Sequence, residues 1–394
     1  MIGLFLIVTA GCSGGSDGGM SMMPAGPVTC HSDTDCTATP ERSQCQIATG
    51  SCLARGFPIG LKAGMPATAT LTPVFDEQSM RQPTGLGFNP AHPNELWIVD
   101  HADDTVYIVT DPGTDHVTSA RKHDPDALHF MHAPTGIAFC RAGHCDGPAM
   151  PAYFGVCGEN DGSQDNQRGF TGPGLWTSDL AIFAKATPGG LGSHIDMLHD
   201  TSWCMGIAHE KDNVYWLFDG GKGSLARYDF HQPHEPGGDD HSDAEIAQYN
   251  IGSFKRQKGV PSGLAYNSDD KMVYVADTGN QRIVRMDPST ATDTGPLDSM
   301  EPVVPEQMDG AATMDLVPAG TLKAPSGMVL DDGLLYVNDN GTGLVHAFDL
   351  KGKEVGSFDT GLGSGALSGI TLGPDGKIYL TDMKASQVYR IDPQ

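Results

Sequence analysis

VPSGLAYNSDDKMVYVADTGNQRIVRMDP, residues 260–288, holds three short apolar runs, SGLAY, MVYVAD and RIVRMD, divided by polar turn residues. Short, partly alternating runs between turns predict three strands of an antiparallel meander. One such unit cannot bury its own faces, so the stretch predicts neighbours of its own kind.

The neighbours are present. PTGLGF at Pro83, PTGIAF at Pro134, CMGIAH at Cys204, PSGMVL at Pro325 and LSGITL at Leu367 repeat the first run, PSGLAY at Pro261. The second run recurs as ELWIVDH, NVYWLFD, LLYVNDN and KIYLTDM, and the third as TVYIV, SLARYDF, LVHAFDL and QVYRIDP. Six degenerate copies of a sheet unit favour a closed ring, because closure covers the outermost repeats.

The copies resemble NHL repeats, with VYVADTGNQRIVRMDP the strongest match, and the resemblance spans residues 65–394. It implies an all-β fold, a six-bladed β-propeller with four-stranded antiparallel blades. The last copy ends at Gln394, one strand short. ATATLTPVF, residues 67–75, has nothing else to pair with, so this N-terminal strand is expected to close the last blade. The other outer strands are expected at ALHFM, HIDML, AEIAQY, TMDLVP and EVGSF.

Ahead of the propeller, MIGLFLIVTAGC (1–12) resembles a bacterial lipoprotein signal with Cys12 acylated, too short to span a bilayer as a helix. Residues 13–29 read as a flexible linker, and 30–64 as a small cysteine-rich, disulfide-rich segment. Nine cysteines less the lipid-bearing one leave eight, consistent with four disulfides in an oxidising compartment. Cys30, Cys36, Cys45 and Cys52 would form a stapled knot, with a zinc cluster as the alternative; Cys140 would pair with Cys145 and Cys157 with Cys204. These features place the chain in the bacterial cell envelope, lipid-anchored at the outer membrane or cell surface. A formal charge of −25, from 49 acids and 24 bases, repels nucleic acid and anionic membrane. The membrane contact expected is therefore the N-terminal lipid alone, and the expected state is a monomer.

Strand order sorts the loops. With the start of each first strand called upper, the links from second to third strand lie above, and the links from third to outer strand below. Asp219, Asp277, Asp339 and Asp382 end second strands, where they can cap turns, while copy one offers His101. His101, His132 and His199 come from successive blades toward the upper mouth, a plausible zinc or copper set with Asp200 behind it. The insertion GVCGENDGSQDNQRGFTGPGLWTSDLAIF beside them offers Glu159 or Asp161 as a base. Arginine and lysine look sparse near these loops, which argues against a strongly anionic ligand. On the lower face, His231, His234 and His241 lie in one loop with Glu235, Asp239, Asp240 and Asp243, and His209 shares that face. They make a second candidate site for zinc, copper or, alternatively, calcium.

One enzymatic relative within such propellers, the peptidylglycine-amidating lyase, holds zinc with histidines that directly follow the proline opening first strands. Here those places hold Thr84, Thr135, Met205, Ser262, Ser326 and Ser368, so no ligand carries over. Other relatives hydrolyse lactones with a calcium held by acids and asparagines, a role open to Glu159, Asn160, Asp219, Asn338 and Asp339. Two functions follow as expectations. One is a cell-envelope lipoprotein whose propeller binds metal and recognises a small molecule or protein partner. The other is a metal-dependent lyase or hydrolase with a histidine-ligated metal at the propeller mouth.

Overall fold

Second strands buried on both faces arrange the sheets. In Glu95–Asp100, Leu96 and Ile98 enter one apolar cluster while Trp97 and Val99 enter another. In Met272–Asp277, Val273 and Val275 face one neighbour and Tyr274 and Ala276 the other. Two-sided burial is why these strands read as continuous apolar runs rather than alternating ones. Six clusters result, one at each seam between neighbouring sheets. A seam on each side of every sheet is the signature of a closed ring.

The computed structural model describes residues 43–46, 51–54, 58–60, 68–140, 152–163, 170–299 and 302–393. The chain divides into two compact units, Met1–Arg55 and Gly56–Gln394. In the first, Ser43–Gln46 and Ser51–Ala54 form an antiparallel hairpin. The signal, the linker, Cys30, Cys36 and Cys145 lie outside the described residues. Among the described residues no helix is long and apolar enough to cross a membrane.

The second unit is an all-β six-bladed propeller whose blades are mostly four-stranded and antiparallel. Ala69–Asp76 pairs with Gln387–Pro393, so the N-terminal strand closes the last blade as its position in the chain predicts. Cys157 and Cys204 form a disulfide that ties blade 2 to blade 3. Cys140 is also disulfide-bonded.

Two expectations about strands fail. The outer strand of blade 1 is Thr118–Lys122, and ALHFM instead supplies a helical turn, Ala127–Phe130. The apolar run was misread because an outer strand here is mostly solvated, while Ala127 and Phe130 turn inward into the core between blades 1 and 2. Blade 3 also carries two extra strands. Both are inserted in the sequence of blade 4: Glu306–Asp309 reaches back and pairs in parallel with Glu245–Tyr249, and Thr292–Pro296 pairs antiparallel with Glu306–Asp309 at the sheet edge.

The axis is built from two repeated positions. At the first, hydroxyls bridge from blade to blade: Thr84 donates to Pro134 O (2.6 Å), Thr135 to Cys204 O (2.9 Å), Ser326 to Leu367 O (3.2 Å) and Ser368 to Pro83 O (3.0 Å). Between blades 4 and 5, Thr278, bonded to Ser262, donates to Pro325 O (2.7 Å). Where blade 3 has Met205 in place of a hydroxyl, the backbone N–H of Ser262 donates to Met205 O (2.8 Å). At the second position the strands approach so closely that only glycine fits. A Cβ on Gly206 would lie 2.1 Å from Ser262 O, and one on Gly327 2.2 Å from Ser368 O.

Candidate functional site

Above that ring, the upper loops are held by buried aspartates at the end of second strands. Asp339 accepts from the backbone N–H of Lys323 (3.0 Å) and Ala324 (2.8 Å) ahead of its own first strand, and Asp277 from Lys255 N (2.8 Å). Asp219 and Asp382 accept from the turns that follow them. Burial raises the Asp100 and Asp219 carboxyls above the ordinary range.

Register corrects the reading of His101. Asp100, not His101, faces Pro83, as Asp339 faces Pro325 and Asp382 faces Leu367, and it accepts from Arg81 N and Gln82 N. Blade 1 thus keeps its aspartate, and His101 stands one residue beyond it. The blade that departs is blade 2, where Gly158 faces Pro134. Its missing carboxylate comes from blade 1: Asp104 accepts from Ala133 N (2.8 Å) and pairs with His132 Nδ1 (3.0 Å). That hydrogen bond raises the His132 pKa above its usual value.

The residue one beyond the aspartate position is His101 in blade 1 and Glu159 in blade 2, and these two meet. His101 Nε2 lies 3.6 Å from Glu159 Oε2. The carboxylate, 4% exposed, is fixed from the far side: Arg256 Nη1 donates to Oε1 (2.6 Å) and Gly259 N to Oε2 (2.9 Å). Arg256 and Gly259 belong to the lead-in to blade 4, which stands opposite blade 1 in a ring of six. A side chain that touches both must lie over the axis. Arg256 also lies over the indole of Trp203, 4.4 Å from ring centre to guanidinium carbon. Trp203 N donates to Asn160 O (2.7 Å), and Asn160 Nδ2 to His132 O (3.3 Å). Trp203 and Asp200 take left-handed backbone conformations, φ 53° and 84°. Such strain in non-glycine residues persists only where surroundings enforce it, and it concentrates at functional sites. The disulfide sits at the root, with Cys204 next to Trp203 and Cys157 two residues before Glu159.

The other candidates disperse. His199 packs on Phe170 (4.7 Å between centroids) and beside His241 (6.2 Å), toward the outer edge of blade 2 rather than at the mouth. That contact also moves His241: its loop climbs the outer edge of blade 2, where His234 meets His194 (5.2 Å). His231 lies 3.7 Å from Glu245 and 3.8 Å from Asp229, and His209 pairs through Nε2 with Asp212 O (2.8 Å). Asp161 is exposed and accepts from Ser163, whose hydroxyl lowers its pKa. Asn338 donates to Ser368 O and Gly369 O, and Asp339 caps its own loop, so both serve the fold. Among the described residues, no three His, Cys, Asp or Glu side chains group so as to hold a metal. The loops are also less poor in bases than they look: Arg256, which spans the mouth, corrects that reading.

Compared with known proteins, the chain matches the NHL repeat model over residues 259–286. No curated protein matches it by sequence. Among solved structures it is similar to a protein of unknown function from Bacteroides thetaiotaomicron, at 11% identity and TM-score 0.53, covering 82% of this chain and 76% of that one. It is similar to a luciferin-regenerating enzyme, at 12% identity and TM-score 0.52, covering 82% and 95%. It is likewise similar to an auxiliary nutrient binding protein from Bacteroides thetaiotaomicron, at 11% identity and TM-score 0.52, covering 82% and 76%. Likeness at this identity is one of fold, and these neighbours carry both enzyme and binding names.

Proposed function

We propose that the protein is a lyase or hydrolase of a small molecule bound at the upper mouth, with His101 as its acid–base group. The observation that supports this is an imidazole directed at a carboxylate that two other groups already immobilise. Glu159 is too fully engaged to act as the base assigned to it from sequence: Arg256 and Gly259 occupy both oxygens. It suits the orienting role in a base–orienter pair, fixing the ring and favouring the imidazolium as it forms. Nε2 is buried and turned to Glu159, which leaves Nδ1 as the nitrogen a substrate can reach. The present 3.6 Å gap is of the kind that closes when substrate fills a site. Trp203 and Arg256 supply an aromatic and cationic wall beside it.

The three-histidine zinc of the amidating lyase does not fit these residues. None of the corresponding axial positions is a histidine: Thr84, Thr135, Ser326 and Ser368 are hydroxyls already committed to the next blade's carbonyls, Ser262 bonds to Thr278, and Met205 offers no imidazole. The acid–base step is therefore assigned to His101 alone. The disulfide supports an oxidising, extracytoplasmic setting for this chemistry.

The test is turnover of a panel of small lactones, esters and α-hydroxyamides by the wild type, His101→Asn and Glu159→Gln. General acid–base catalysis by a positioned side chain contributes about 10²–10⁴-fold, so His101→Asn is expected to lose at least about 100-fold in kcat. Turnover that His101→Asn retains in full would exclude His101.

A further inference from the structure

We infer that Asn340 sets what the upper mouth accepts: its side-chain oxygen receives a hydrogen bond from the ligand, so the mouth takes uncharged secondary amides ahead of esters. This specificity rests on the reading of the upper mouth as the ligand site, and not on His101 acting as the acid–base group.

The position after the last residue of the second strand builds the rim of the mouth. In blades 1 to 6 it is held by His101, Glu159, Gly220, Thr278, Asn340 and Met383. In five of them its backbone N–H donates to the carbonyl just ahead of the blade's own first strand, as His101 does to Gln82 O (2.9 Å) and Asn340 to Ala324 O (2.9 Å). That shared bond sets these residues at one level. Side chains at this level reach toward the next blade: His101 to Glu159, Thr278 to Pro325 O and Asn340 to Leu367 O. Gly220 has no side chain to offer, and Arg256 passes over it, its Cδ 2.5 Å from where a Cβ would stand.

Asn340 is the member of this rim with an unused group. It is 6% exposed. Nδ2 donates to Leu367 O (2.8 Å), the carbonyl that the axial hydroxyl of Ser326 also reaches (3.2 Å), so the amide lies on the axial ring. A carbonyl can only accept, which fixes the amide nitrogen on that side and turns Oδ1 elsewhere. Among the described residues nothing donates to Oδ1. Unlike Asn338 Oδ1, it is not sealed from solvent. An unpaired acceptor on a buried side chain calls for a cause, and the fold does not supply one. Thr278 makes the same bond to the next blade with a single hydroxyl, so the amide in blade 5 adds only the free oxygen.

Blades 2 and 5 face each other in a ring of six. On the blade 2 side, Arg256 gives Nη1 to Glu159 and keeps Nε and Nη2 without a hydrogen-bond partner among the described residues. The Arg256–Glu159 pair is neutral as a unit, so it offers donors with no surplus charge to offset the desolvation of an anion. An uncharged ligand with an acceptor for Arg256 and a donor for Asn340 matches both walls. A trans secondary amide carries these groups on neighbouring atoms and points them in opposite directions; an ester carries acceptors alone. Met383, half-buried and from the blade between Asn340 and His101, gives the apolar part of such a ligand a surface, with Sδ 3.7 Å from Asn340 Nδ2.

The test is calorimetric titration of the full chain with N-benzylacetamide, its N-methyl derivative and benzyl acetate, three ligands of matched shape. A ligand that lacks the donor leaves the site oxygen unpaired, so the secondary amide is expected to bind one per chain with a Kd at least about 10-fold below the other two. Asn340→Thr keeps a donor for Leu367 O, in the manner of Thr278, while removing the free oxygen; in it the three affinities should converge, with circular dichroism reporting the fold. No saturable binding of N-benzylacetamide, equal binding of the ester or the N-methyl amide, or a preference retained in the folded Asn340→Thr protein would each overturn the inference. The comparison of ligands on the wild type decides it even should that variant fail to fold. Turnover that needs His101 while amide and ester bind alike would remove this inference alone; a clear amide preference with turnover indifferent to His101 would remove the acid–base reading alone.

Discussion

Replacing both Cys157 and Cys204 with alanine tests how the mouth is anchored. The bond closes a loop of sequence separation 47. Loop-closure entropy for a cross-link of that span amounts to about 4 kcal/mol at 25 °C. Unfolding entropy near 2.1 cal/mol/K per residue, taken over the unit from Gly56 to Gln394, converts this to a fall in Tm of about 6 °C. Both cysteines are buried, at 2% and 0% exposure, so paired variants are a cleaner perturbation than a reductant. Calorimetry at one fixed scan rate measures the shift. The bond also joins the segment carrying Glu159 to the segment carrying Trp203, so any turnover at the mouth should fall in the same variant. A Tm within about 1 °C of wild type would refute the claim that this cross-link restrains blades 2 and 3 relative to each other.

Further outcomes follow from the same structure. Burial raises Asp196 from 3.8 to about 8, so between those values the folded protein holds a proton the unfolded chain has released, and stability falls as pH rises, by about 1.4 kcal/mol per unit. Asp196→Asn should therefore be the more stable protein at pH 8 in urea titrations; equal stability there would contradict the shift. Burial lowers His194 from 6.5 to about 3, so below pH 6.5 the unfolded chain takes up a proton the folded state refuses, and stability falls toward pH 3; His194→Phe should blunt that limb. Thr84→Val strands the buried carbonyl of Pro134 and is expected to cost about 1–3 kcal/mol by chemical denaturation. Gly327→Ala forces a methyl against Ser368 O and is expected to cost about 1–3 kcal/mol or prevent folding, a neutral result contradicting the tight axis.

The ring and its closure by residues before Pro83 were legible in the sequence because they rest on a local pattern that repeats, whereas the Cys157–Cys204 bridge was legible only as the pair left once the other cysteines were assigned. Apolar runs of fixed length announce second strands, and an unpaired strand at each end of the chain announces closure. Register was harder. VDHADDT offers an aspartate and a histidine side by side, and only the pairing of Pro83 with Asp100 shows which belongs to the repeat. Blade 2 is the copy without the carboxylate, and Gly158 shows it only once register pairs it with Pro134; Glu159 stood out in the sequence as an acid of the insertion, and its place beside His101 comes from the structure. Arg256 and Trp203 were not legible. Arg256 meets Glu159 across 97 residues of chain, and nothing local in KRQKGV marks it as the residue that crosses the mouth. The histidine-rich loop misled for the opposite reason: sequence crowding at 231–241 dissolves when each ring turns to a different partner.

The central claim is that Glu159 is held over the axis by Arg256 and so orients His101. A double-mutant cycle with Glu159→Gln, Arg256→Met and the combined variant, followed by equilibrium unfolding, measures that hold without knowing the substrate. For a buried, charge-assisted pair the account predicts a coupling of about 2 kcal/mol or more. A coupling below about 0.5 kcal/mol, the level of an exposed surface pair, would contradict it.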